Sequence, residues 1–109
     1  MEYKEMKSCI DACLECASMC RHCASSCLKE EETDVKMMAR CIQLDLECAS
    51  FCSAAAELMS LGSDYSREIC QLCAEVCERC AEECEKHDTE HCRKCAKACR
   101  SCAQACRKM

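Results

Sequence analysis

The sequence predicts an all-α fold: an antiparallel up-down four-helix bundle with a cysteine-lined core. Three observations lead there. Cysteine makes up 19 of the 109 residues and mostly recurs at alternating steps of four and three, the spacing of one helix face. A pattern CxxCAxxCxxCAxxC occurs three times. Proline is absent and glycine occurs once, as Gly62, so only short polar turns interrupt the helical pattern.

The first helix is expected over about 2–29, with Cys9, Cys13, Cys16, Cys20, Cys23 and Cys27 on one face. The second, over about 34–61, is the same unit in edited form. Aligned from Asp45, DLECASFCSAAAELM keeps Cys48 and Cys52 but has Asp45, Ala55 and Met59 where the other copies have cysteine. Cys41 stands one step before that unit, as Cys9 does in the first helix. The third helix, over about 64–86, carries Cys70, Cys73, Cys77, Cys80 and Cys84. The fourth, over about 89–108, carries Cys92, Cys95, Cys99, Cys102 and Cys106. Thr33, Ser63 and Asp88 are the expected N-caps, and Gly62 suits a left-handed residue after the second helix. Alanine follows the second and fourth cysteines of each full copy, where a small side chain lets helices approach. The short connections favour antiparallel neighbours. One helix cannot bury such a stripe alone, so the four are expected to stack as a single domain over 1–109.

Composition narrows the function. Leu, Ile, Val and Phe together number 13, a shortage that ordinarily signals disorder. The helical periodicity argues against disorder, so another source of cohesion is needed, and bound metal supplies one. Net charge is −5, with both signs interspersed, which describes a solvated surface and not a nucleic-acid footprint. No stretch of 18 apolar residues offers a membrane span. The segment Met1 to Ser8 has no apolar run and no twin arginine, so a cytoplasmic location is expected. There thiols stay reduced, and a cysteine pattern points to metal before disulfides. Residues four apart on one helix also lie side by side, poorly aimed for an S–S bond.

Three readings compete for the thiols. As small hydrophobes they would explain one or two buried positions, not nearly every inner position. Zinc takes isolated tetrahedra of four ligands, and iron–sulfur clusters take four cysteines each, commonly from a wrapping loop. Here the thiols form continuous columns inside helices. Cu(I) is selected by soft thiolates and thioethers, accepts two or three ligands, and shares thiolates between ions. A column therefore suits it, at roughly one ion per cysteine, on the order of fifteen to twenty per chain. An iron–sulfur electron-transfer protein and a zinc-buffering, metallothionein-like protein are the alternatives. Nothing in the sequence has the pattern of a catalytic nucleophile or a phosphate loop, so no enzymatic activity is expected.

The chain resembles the cysteine-rich four-helix-bundle copper storage proteins, and more closely their cytosolic branch. The resemblance spans essentially the full length. It rests on the CxxCAxxCxxCAxxC strings, on the segment Leu44-Asp45-Leu46-Glu47-Cys48-Ala49, and on the segment from Glu85 through His87 and His91 to Cys92. It implies a core binding many Cu(I) ions, cytosolic copper storage or detoxification, and a homotetramer of bundles. The expected partners are copper ions and a copper chaperone as donor.

Antiparallel topology sorts the remaining soft residues between two ends. Met6, Met59 and Met109 gather at one, where the first two read as ligands or as apolar plugs. Met38, His87 and His91 gather at the other, with His87 continuing the third cysteine column. That histidine end is expected to be the copper mouth. Asp45 is expected to be buried, either as a ligand or as a hydrogen-bond partner of a thiol. His22 reads as solvated.

Overall fold

Four helices account for nearly all of the described residues, 2–29 and 35–109, in this computed structural model. They are α1 (Tyr3–Lys29), α2 (Val35–Ser60), α3 (Ser66–Cys84) and α4 (Glu90–Arg107). At 1.5 Å per residue, the 27 residues of α1 span about 40 Å, and the whole bundle measures 47 × 18 × 17 Å. Each helix packs on two neighbours, in the cyclic order α1, α2, α3, α4. Across the diagonals, α1 with α3 and α2 with α4, no described Cα atoms come within 8 Å. The four helices thus form the walls of a square tube, and the core is its axis.

Packing follows the repeat. Every one of the 19 cysteines is buried and none forms a disulfide. The repeat alanines (Ala17, Ala24, Ala49, Ala56, Ala74, Ala81, Ala96 and Ala103) are buried as well. Ile10 and Leu44 are buried, and Ile69 and Val76 pack against the core from the seams. Leu14 and Leu72, which sit beside cysteine columns in the sequence, are about half exposed, 53% and 49%. Adjacent positions on a helix differ by about 100°, which turns Leu14 and Leu72 outward, whereas Ile10 and repeat alanines such as Ala17, also next to cysteines, stay buried.

The helix ends refine the sequence reading. Gly62 has φ +68°; its N–H donates to Met59 O and the Ser63 N–H to Leu58 O, the paired bonds of a Schellman motif. Ser63 does not cap α3. Its Oγ accepts from the Tyr65 N–H at 3.0 Å, and this turn delays the helix to Ser66. The cap of α4 is Thr89, not Asp88: Thr89 has extended backbone and its hydroxyl accepts from the Cys92 N–H. Asp88 instead pairs with Arg93. Thr33, the expected cap of α2, lies outside the described residues.

Candidate metal centre

The helical steps of four and three bring successive thiols of each wall to the axis, where they meet those of the other walls. Near the middle, Cys48 Sγ lies 3.5 Å from Cys77 Sγ, 3.8 Å from Cys16 Sγ and 3.9 Å from Cys99 Sγ. One rung along, Cys52 is 3.7 Å from Cys77 and 3.8 Å from Cys102, and Cys102 is 3.6 Å from Cys13. On the other side, Cys20 is 3.7 Å from both Cys99 and Cys95. Two sulfurs bonded to one d10 ion at roughly 2.3 Å each cannot be more than about 4.6 Å apart. These thiols already stand inside that limit.

The groupings overlap. Cys13, Cys73, Cys102 and Cys106 form one set with ligand atoms mutually within 4.8 Å; Cys16, Cys52, Cys77 and Cys102 form a second. Cys16, Cys20, Cys48 and Cys99 form a third, and Cys20, Cys80, Cys95 and Cys99 a fourth. Cys102 joins the first two, Cys16 the second and third, and Cys20 and Cys99 the last two. Isolated tetrahedral sites do not share ligands in this way. A metal whose thiolates bridge does.

Asp45 interrupts the run of sulfur. It is fully buried, and its Oδ1 accepts from Cys80 at 3.2 Å, Cys95 at 3.3 Å and Cys84 at 3.6 Å. Burial pushes its carboxyl up to about 11, with the neighbouring sulfurs of Cys95, Cys80 and Cys41 and the Cys80 hydrogen bond adding to it. At neutral pH the group is therefore a neutral acid in the apo chain. Of the two roles expected for Asp45, hydrogen bonding to thiols is visible here. The same burial raises Cys27, with the neighbouring sulfurs Cys41 and Cys92 adding to it; a lone thiolate in such a core is costly.

Beyond Asp45, Cys41 lies 3.6 Å from Cys84, and Cys23, Cys27, Cys92 and His91 make a further set. His91 Nδ1 is 3.4 Å from Cys23 Sγ and 3.7 Å from Cys92 Sγ. A groove of ≈470 Å³, lined by His22, Ser26, Lys29, Glu90, His91 and Lys94, opens onto this histidine. His87 behaves differently. Because α3 ends at Cys84, His87 does not continue the cysteine column. It sits in the turn, and its Nε2 donates to Glu83 Oε2 at 2.8 Å. Glu83 was not singled out from sequence, although its i,i+4 spacing to His87 carries the signal.

At the opposite end the methionines are buried: Met6 is 1% exposed and Met59 0%. The Cys70 thiol donates to Met59 Sδ at 3.5 Å, and Cys9 lies 3.8 Å from Cys106. Met38 is buried near the start of α2.

The comparisons agree with this geometry. The profile of the copper storage protein family matches residues 2–109. The Cu(I)-bound copper storage protein BsCsp3 superposes with a TM-score of 0.91 at 45% identity, covering 99% of this chain and 98% of that one. The apo form of copper storage protein 3 from Bacillus subtilis gives 0.88 at 46%, covering 94% and 96%. A cytosolic copper storage protein from Streptomyces lividans, solved with five coppers, gives 0.90 at 43%, covering 97% and 92%. No curated protein sequence matches significantly. A sulfur-lined tube, matched over nearly its whole length by such relatives, places the chain in the copper storage protein family.

Proposed function

We propose that this chain stores Cu(I) in the cytoplasm, holding many ions at once on the thiolates that line its tube, and that it does so without catalysis. The observation that carries the proposal is the sharing of Cys16, Cys20, Cys99 and Cys102 between neighbouring sulfur sets, which makes the core one continuous bridging lattice. Thiolate is the soft ligand that selects Cu(I). One Cu(I) per thiolate leaves the buried core neutral, so filling it avoids the cost of buried charge. The bundle acts as one copper-binding domain, with all 19 cysteines as the ligand set and Asp45, His87 and His91 as accessory groups.

The histidine end is the copper mouth in this reading. His91 sits between the groove and the Cys23–Cys27–Cys92 set, where an imidazole can take an ion from a donor, such as a copper chaperone, and pass it inward. Half-exposed or exposed apolar residues on the outer walls, including Leu14, Leu61 and Leu72, support assembly of bundles into a tetramer. No helix among the described residues is long and apolar enough to cross a membrane.

The test is anaerobic Cu(I) titration of the reduced protein against a chromogenic chelator. Uptake on the order of fifteen ions or more per chain is expected for bridging thiolates. Saturation at about four or five would mean isolated four-ligand sites and would defeat the proposal. A brown colour after growth on iron would favour the iron–sulfur alternative instead.

A further inference from the structure

We infer that the closed end of the tube holds a Cu(I) ion on a mixed thioether–thiolate site made by Met59 and Cys70. This deepens the storage reading and rests on it. Met59 occupies the position where the other three helices have their last cysteine. The antiparallel walls bring it level with Cys70, Cys9 and Cys106, so the final ring of the tube contains a sulfur from each helix. Cys9 lies 3.8 Å from Cys106 in that ring.

An apolar plug would need only the volume of Met59. The geometry shows more: the Cys70 S–H is directed at Met59 Sδ at 3.5 Å, with both side chains fully buried. The thioether lone pair therefore faces the thiol and not the surrounding apolar atoms. This is the contact that Cu(I) would replace. Cys70–SH loses its proton, the ion bonds to the resulting thiolate, and Met59 Sδ donates a lone pair. One Cu(I) enters, one proton leaves, and no electron is transferred. The thioether is neutral and soft, so it completes the coordination of a terminal ion without adding a second negative charge at the end of the column. A cavity of ≈290 Å³, lined by Met6, Gly62, Ser66, Arg67 and Met109 among others, lies at the same end of the bundle.

The test uses protein grown with selenomethionine, loaded to saturation with Cu(I) and examined by X-ray absorption at the selenium edge. A copper neighbour on selenium is expected in the parent chain. It should be lost or sharply reduced in Met59→Leu, which keeps the side-chain volume, and the titrated capacity should fall by a single ion. Cys70→Ser should remove the same copper neighbour while Met59 remains, which covers the case of a misfolded Met59→Leu. Absence of copper next to selenium in the saturated parent, or an unchanged signal in both variants, overturns the inference even where the total capacity stays high. A parent chain that saturates at about four or five ions overturns the storage reading instead.

Discussion

Asp45 shows how one residue can be read from its neighbours. Its carboxyl is held up at about 11 in the apo fold, above the ordinary value of about 3.9. Between those two values the folded chain binds a proton that the unfolded chain has lost. The stabilising proton is fully shared below about pH 4, and its contribution is lost as pH rises toward 11. Asp45→Asn keeps the shape and removes that dependence. The apo variant should therefore gain stability over the parent as pH increases, measured as the urea midpoint from pH 5 to 9. Parallel curves for the two proteins would contradict this account. The histidines separate by a similar logic. His91 faces thiols, whereas His87 is held by Glu83. Stopped-flow loading should be slowed more by His91→Ala than by His87→Ala, with capacity nearly unchanged in both; the reverse order would move the mouth away from His91.

At the scale of the helix, much was legible and some was not, for identifiable reasons. Cysteine spacing assigned the inner face of every helix, because a 3.6-residue period leaves no freedom in which positions share a side. It also found the edited wall at Asp45, Ala55 and Met59, all fully buried. It named Asp88 as the cap of α4 where Thr89 serves, since both residue types accept from a backbone N–H and only the backbone dihedrals distinguish them. Nor could it locate the stop of α3 at Cys84, which placed His87 on a column that had already ended. The observed ends give direct tests. Thr89→Ala should cost about 1 kcal/mol. Gly62→Ala should cost about 1 kcal/mol from its left-handed backbone alone, because an added Cβ meets nothing within 4 Å. Both losses are measurable by chemical denaturation of the apo protein. A neutral Gly62→Ala would mean that the turn relaxes.

For the whole molecule, the apolar side chains are few and the metal is expected to complete the core. Alanine-rich helices with outer ion pairs such as Arg100–Glu85 and Arg107–Glu78 should keep the apo chain helical, since helix propensity favours them, although exposed pairs each add little. Copper should then raise the melting temperature substantially, because a ligand that binds only the folded state stabilises it by mass action. Stripping the metal anaerobically with excess chelator should return the melting temperature to the apo value. Loading should also release protons, on the order of one per thiolate formed, detectable in weakly buffered solution with an indicator dye. A loaded protein that melts no higher than the apo form would show that copper sits outside the core.

Those shared sulfurs also impose an order of traffic. The tube is only 18 × 17 Å across its helices, and its axis is filled by side chains from four walls. An ion deep in the column has no lane by which to pass another. Because Cys16, Cys20, Cys99 and Cys102 each serve two neighbouring sets, removing one ion loosens the next. The store is therefore expected to work as a queue, in which occupancy next to the mouth, not average affinity, decides which ion leaves first.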